Sequence, residues 1–301
     1  MALHETYDIY GFYETAKNLT KNPEVPNRNK FTVDLRNSQL VEQLVKQIEP
    51  DFVFHLAARS EVANSFNNYL EVTDINYKGT VALAEANRIY NPNLQLFVMA
   101  STMETYGHGH LEVPFVEDTI QRPAAPYAVA KVASEKYLHY MDYAYGFPYV
   151  ILRQTNTYGR HDNNFFVMER IISQFFTDFD YIYLGNPEPK RNFLYISDLV
   201  DLYRVLLKKV DVARGQTFVT GPDNALKIRD LAHLIAVMMG YQPEDAPDLF
   251  IWDTIPERPG EIYYLNSNPK KAKVHLDWEP QVSLKEGIYL TIKMFEEGVA
   301  Q

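Results

Sequence analysis

The sequence predicts an α/β fold: a doubly wound parallel sheet with helices on both faces, and a smaller portion towards the carboxyl end. Three observations carry that reading. Short runs that are apolar throughout, Phe52 to Leu56, Leu94 to Ala100 and Tyr149 to Leu152, have the composition of strands buried on both faces. Segments of helical periodicity separate them. Polar residues gather just after each run, at the sheet edge where doubly wound folds hold ligands.

Along the chain, Tyr7 to Tyr13 reads as a short strand, and Asn18 to Lys30, with Pro23 and Pro26, as loop. Phe31 to Val33 is a second brief strand ending at Asp34. Leu40, Val41, Leu44, Val45 and Ile48 recur at helical spacing from Ser38 to Ile48, and Pro50 leads into the Phe52 run. A helix from Asn76 to Tyr90 precedes the Leu94 run, and another begins at Pro126, where a first-turn proline is tolerated, and stops at Gly146. Further on, Asp198 to Lys208 reads as a helix with Ser197 as N-cap, Phe218-Val219 as a strand, and Lys227 to Met239 as a helix stopped by Gly240. Pro243 to Pro259 is mainly loop, and Ser283-Leu284-Lys285-Glu286 has capping-box spacing before a last helix.

Composition narrows the function classes. A chain of 301 residues, 46% of them hydrophobic, can bury one large core or two modest ones. The formal net charge of −10 repels nucleic acid and anionic membranes, so any phosphate must be held by local Arg and Lys. With no cysteine, disulfides, thiol nucleophiles and Cys-ligated zinc are excluded. His108, His110 and His161 lack the helical spacing of a metal pair, so no metal site is expected. Met1 to Glu5 shows no basic-then-apolar leader and no stretch is long enough to span a bilayer, so a cytoplasmic protein is expected.

Tyr127 and Lys131 are the candidate reactive pair. Residues i and i+4 share a helix face, and an ammonium near a phenol favours the phenolate, which makes a usable general base. An isolated pair at this spacing is also ordinary on a helix surface. Ala57-Ala58 after Leu56, Ser101 to Glu104 after Ala100, and Arg153 to Asn156 after Leu152 converge with it on one sheet edge. His55, inside a strand, reads as a core histidine.

Ala100-Ser101-Thr102-Met103-Glu104-Thr105-Tyr106-Gly107 followed by Pro126-Tyr127-Ala128-Val129-Ala130-Lys131 resembles the catalytic segments of the extended short-chain dehydrogenase/reductase family, in its nucleotide-sugar branch. Asp34-Leu35, His55 to Ala58, Asn76 with Gly79-Thr80, Arg153 to Gly159, Arg191-Asn192-Phe193, Arg258-Pro259-Gly260-Glu261 and Trp278-Glu279-Pro280 extend the resemblance over nearly the whole chain. It implies a Rossmann-like nucleotide-binding domain over 1–156, with 195–220 returning to it, and a mainly substrate-binding domain over 157–301. Asp34, Leu35, Leu56, Ala57, Ala58 and Lys131 would line NAD or NADP, and Asn76 would be largely structural. Asn156, Arg191 and Arg258 would hold the diphosphate or base of a nucleotide sugar. Tyr127 would deprotonate a sugar hydroxyl, Lys131 would lower its pKa and contact ribose, and Thr102 would relay a hydrogen bond.

Thr102-x-Glu104 resembles the 4,6-dehydratases of the branch, in which a carboxylate removes the C5 proton of a 4-keto sugar. Met103 stands where some of them carry an acid, so the expected 4,6-dehydratase competes with a 4-epimerase or a UDP-glucuronate decarboxylase. The front departs from the family: the Gly-x-x-Gly-x-x-Gly strand, turn and helix that would cradle the dinucleotide pyrophosphate is missing. A misassigned start or truncation is the favoured expectation; the other is a catalytically silent binding protein. The second family strand would end in an acid, which aligns with Tyr13, one place before Glu14. A homodimer through the Asn76 and Tyr127 helices is also implied.

Overall fold

The computed structural model describes residues 6–15, 17–18, 25–109, 111–160, 165–177 and 180–299. Met1 to Glu5, Pro23, His110 and His161, singled out above, lie outside the described residues. The first half contains β1 (Gly11–Tyr13), β2 (Lys30–Thr32), α1 (Ser38–Ile48), β3 (Phe52–His55), α2 (Val62–Ser65), α3 (Tyr69–Thr73), α4 (Gly79–Tyr90), β4 (Leu96–Thr102), α5 (Pro126–Tyr145) and β5 (Tyr149–Gln154). The second half runs through β6 (Asn156–Tyr158), α6 (Val167–Gln174), β7 (Ile182–Tyr183), β8 (Lys190–Arg191), β9 (Phe193–Tyr195), α7 (Ile196–Lys208), α8 (Val210–Ala213) and β10 (Gln216–Thr220). It closes with β11 (Leu226–Lys227), α9 (Ile228–Met238), β12 (Phe250–Ile251), α10 (Lys270–Leu276) and α11 (Leu284–Val299).

Local signals explain the main elements. Asn37 caps α1 through Oδ1, which accepts from the Leu40 N–H at 3.1 Å, and Glu49, with φ 45°, ends it. Pro126 occupies the first turn of α5 and Gly146 at φ 66° terminates it. Ser283 Oγ accepts from the Glu286 N–H at 3.2 Å ahead of α11.

Four strands form one parallel sheet in the order β10-β5-β4-β3. Alternate residues leave its two faces. Phe97, Met99, Tyr149 and Ile151 pack with Val41, Leu44 and Leu83 of α1 and α4, while Leu96, Val98, Val150 and Leu152 pack with Leu199, Leu202 and Leu276 of α7 and α10. Helices on both faces make this the doubly wound arrangement expected. A third core joins α6, α9 and α11 through Ile171, Ile172, Leu231, Ile235 and Ile288.

β1 and β2 form their own parallel ladder, Gly11 to Lys30 and Tyr13 to Thr32, and do not pair with β3. The sheet is thus divided between β1 and β3. One apolar core still spans the division, because Val33 and Leu35 after β2 pack in the same cluster as Phe97 and Met99 of β4.

Three expectations are corrected. The first strand begins at Gly11, since its predecessors pack by side chain, Tyr7 meeting Phe52 edge-on at 6.3 Å between centroids. Ser197 is not an N-cap: α7 starts at Ile196, placing Ser197 inside the first turn behind Tyr195. The helix through Asn76 starts earlier, as α3 continues through a π-turn, Asp74–Lys78, into α4. No helix among the described residues is long and apolar enough to cross a membrane.

Candidate active site

The carboxyl end of β4 turns through a short 3-10 segment, Met103–Thr105, in which Thr102 Oγ1 accepts from the Glu104 N–H at 3.2 Å. The turn sorts its side chains. Met103 is buried among Tyr106, Phe115, Val219, Ile262 and Leu265, while Glu104 faces the opposite way, towards Arg258. Two glycines allow the close approaches. Gly107, at φ 67°, lies where a Cβ would stand 1.6 Å from the Arg122 carbonyl oxygen, and Gly260, at φ 77°, where it would stand 2.3 Å from that of Ala124. Gly260 thereby presses the Arg258 loop onto the backbone just before α5.

On the first turns of α5, Tyr127 packs against Val72 and Ala130, with its phenol beside Thr102. Lys131 is buried; its Nζ donates to the Ala100 carbonyl at 2.7 Å and stands 5.9 Å from the Tyr127 ring centroid. Burial pushes the Tyr127 phenol above its ordinary value, the Glu104 charge adds to this, and the Thr102 hydroxyl opposes both. The ammonium expected to lower this phenol thus hydrogen-bonds to the strand carbonyl while standing over the same face of the site.

Burial lowers Lys131 from 10.5 to about 8, against the pull of Glu135. Its folded value lies below its unfolded one, so above about pH 8 the unfolded chain binds the extra proton and the native state gains stability as pH rises. Relative to Lys131→Met, the wild type should gain on the order of 2 kcal/mol between about pH 7.5 and pH 10 in urea titrations. A difference independent of pH would contradict the buried placement.

One turn beyond Lys131, the buried Glu135 ties three elements together. Its Oε2 accepts from Arg153 Nη2 of β5 at 2.8 Å and from Gln121 Nε2 at 2.7 Å, and its Oε1 accepts from Ser101 Oγ of β4. Arg153 Nη1 also donates to Tyr106 Oη at 2.9 Å and to the Glu117 carbonyl at 2.7 Å. Burial works against the Arg153 charge, and the Glu135 hydrogen bonds and charge outweigh it.

Two guanidiniums stand opposite. Arg191 Nη2 pairs with Glu261 Oε1 at 2.8 Å, Arg258 Nε pairs with Glu261 Oε2 at 3.0 Å, and Arg258 Nη2 reaches Glu104 Oε1 at 3.2 Å. Arg258 is raised: burial alone would lower it, but Glu104 and Glu261 prevail, whereas burial keeps Arg191 below its usual value. Asn156 Nδ2 donates to the Asn192 carbonyl at 3.3 Å, next to Arg191.

The structure therefore brings Thr102, Glu104, Tyr127, Lys131, Arg191 and Arg258 into one region. At the end of β3, Leu56 and Ala57 are exposed and Ala58 is half-buried. Asn76 holds the following loop, Oδ1 accepting from the Arg59 N–H at 2.8 Å and Nδ2 donating to the Arg59 carbonyl at 3.0 Å. Asp34 is half-buried and paired with Arg36, whose hydrogen bond lowers its carboxyl, and the Leu35 side chain belongs to the core rather than to a surface. His55 is a core residue, 2.8 Å from Thr80 Oγ1, lowered to about 3 by burial and then by Lys131. No acidic or histidine cluster suited to a metal exists among the described residues.

Glu135 escaped the sequence reading, and Arg153 and Glu261 stood in quoted segments without a role of their own. Their signals were present, in a charged residue closing the apolar run of β5, a carboxylate four residues after Lys131, and another three residues after Arg258.

A doubly wound sheet with Thr102, Tyr127 and Lys131 at one edge defines a Rossmann-like epimerase or dehydratase of the short-chain dehydrogenase/reductase type. Residues 3–291 match the family described as GDP-mannose 4,6 dehydratase, and the chain belongs to that family. The dTDP-D-glucose 4,6-dehydratase of Bos taurus is 31% identical over 294 residues, which span 97% of this chain and 80% of that protein. Among solved structures, the UDP-glucose 4-epimerase of Thermotoga maritima with UDP-glucose is 26% identical, with a TM-score of 0.87 over 99% of this chain and 93% of that one. The UDP-glucose 4-epimerase of Thermus thermophilus in complex with NAD is likewise 26% identical, with a TM-score of 0.77 over 91% and 86% of the two chains.

Proposed function

We propose that this chain is a nucleotide-sugar 4,6-dehydratase, converting an NDP-hexose to its 4-keto-6-deoxy product with NAD as its redox partner. The observation that carries the reading is the placement of a carboxylate, Glu104, two residues after Thr102 at the end of β4 and in an ion pair with Arg258, whose loop Gly260 presses against the start of α5, the helix that carries Tyr127. Tyr127 takes the proton of the 4-hydroxyl as its phenolate, a form that the nearby Lys131 ammonium favours, with Thr102 beside the same phenol. Glu104 removes the C5 proton, acidified by the neighbouring 4-keto group, and with Met103 turned into the core it also protonates the departing 6-hydroxyl. Arg191, Arg258 and Asn156 hold the nucleotide diphosphate.

Exposed Leu56 and Ala57 at the end of β3, together with Lys131, fit the nicotinamide-ribose half of NAD. Asp34 and Ala58 complete the cofactor-lining set in this reading, without the core residue Leu35. What NAD supplies when bound is transient removal of hydride from the sugar and its return. The NAD held by the Thermus thermophilus 4-epimerase supports NAD over NADP. The nucleotide-binding portion would comprise 1–156 with 195–220, and the substrate portion mainly 157–301.

The second reading, a 4-epimerase, is favoured by Met103, whose buried thioether supplies no acid for water loss. Incubation with NAD and dTDP-glucose, GDP-mannose, UDP-glucose or CDP-glucose separates the two. We expect a product lighter by one water from one of these sugars; epimers alone from all four would overturn the dehydratase reading.

A cytoplasmic location and a homodimer belong to the same proposal. Exposed Leu70, Ile89, Val129 and Tyr143 on α3, α4 and α5 support the dimer. Light scattering should give twice the monomer mass, and a monomer at assay concentration would exclude it.

A further inference from the structure

We propose that Arg258 serves two anions in turn: it holds Glu104 until the substrate diphosphate takes it, so that diphosphate binding frees the carboxylate for proton transfer. The proposal rests on the nucleotide-sugar reading of the site.

Glu104, Glu261, Arg191 and Arg258 form a chain of two negative and two positive charges, balanced as it stands. A diphosphate placed on the two guanidiniums brings excess negative charge, and one carboxylate must give up its partner. The geometry selects which. Glu261 is held three ways, by Arg191 Nη2 at 2.8 Å, Arg258 Nε at 3.0 Å and the backbone N–H of Ile262 at 3.1 Å. The Glu104 carboxylate receives only the Arg258 Nη2 bonds among those found in the described residues, at 3.2 and 3.4 Å, long for charge-assisted hydrogen bonds. Glu104 is therefore the weaker claim on Arg258. The Arg258 backbone is fixed by Gly260 against Ala124, so exchange of partners requires movement of the guanidinium alone. Released, Glu104 remains close enough to Tyr127 to act on its phenol through charge, which keeps it at the reacting sugar.

The competition has a sign that a structural role does not share. If Glu104 and diphosphate compete for Arg258, removing the Glu104 charge strengthens diphosphate binding; if Glu104 merely props Arg258 in place, removal weakens it. The probes are dTDP, UDP and GDP, which carry the diphosphate but no sugar to react. Calorimetric titration of Glu104→Gln should show about fivefold tighter binding than wild type for the diphosphate that binds best. Glu104→Ala should change in the same direction, so a folding defect in either variant leaves the other decisive. In an Arg258→Gln background the Glu104→Gln gain should vanish. Weaker or unchanged binding in both Glu104 variants overturns the proposal, as does an equal gain without Arg258, which would mean direct repulsion. Absence of binding of all three diphosphates to the wild type would remove the nucleotide-sugar reading itself, and the proposal with it.

Discussion

Tyr127→Phe should lower turnover of the nucleotide sugar by about 10²- to 10⁴-fold while leaving the thermal transition close to that of the wild type, since the change deletes one general base. The phenol is buried against Val72 and Ala130, contacts that a phenylalanine ring keeps. What disappears is the hydroxyl beside Thr102, which in the proposed mechanism accepts the substrate proton. KM should move less than kcat, because Arg191 and Arg258 lie outside the substitution. A loss below tenfold at saturating sugar would mean that the proton leaves by another route.

Glu135→Ala should cost roughly 3–5 kcal/mol of stability, because it strands the Arg153 charge in the interior. Arg153 has 4% of its side chain exposed and Glu135 none, so water cannot replace the missing partner. Ser101 and Gln121 also lose their acceptor. Activity should fall further than stability alone accounts for, since Ser101 precedes Thr102 and Glu135 follows Lys131 by one turn. The double replacement Glu135→Leu with Arg153→Met should recover much of the stability, measured as denaturant midpoints, by removing both charges together. A single variant as stable as wild type would show that the pair carries little.

The legible parts of this fold were those written locally. Apolar runs marked β3, β4 and β5, and Pro126 and Gly146 bracketed α5, because burial on both faces and cap geometry act over a few residues. Ser197 misled because the helix preference of the segment extends to Ile196, and no side chain caps α7. The π-turn at Asn76 arises from contacts distant in sequence, with Arg59 and with Ser134 Oγ, which donates to its carbonyl at 3.0 Å.

The site divided in the same way. Thr102, Glu104, Tyr127 and Lys131 could be singled out from spacing and resemblance, but the partners of Glu104 and Glu135 could not, because their ion pairs join residues 154 and 18 apart. Leu35 read as a cofactor contact beside Asp34, yet its side chain lies under α4, within 2.9 Å of where a Cβ on Gly79 would stand. The division between β1 and β3 is not written locally, because it depends on α1 holding both ladders on one core.

The central claim is that Glu104 exchanges the C5 proton of a 4-keto sugar beside Tyr127. The most direct measurement is turnover of the accepted nucleotide sugar with NAD in deuterium oxide, with mass spectrometry and NMR of the product. We expect a 4-keto-6-deoxy sugar carrying deuterium at C5, and loss of that label and product together in Glu104→Gln. A product with its C5 hydrogen intact, or a Glu104→Gln variant that labels C5 as fast as wild type, would contradict it.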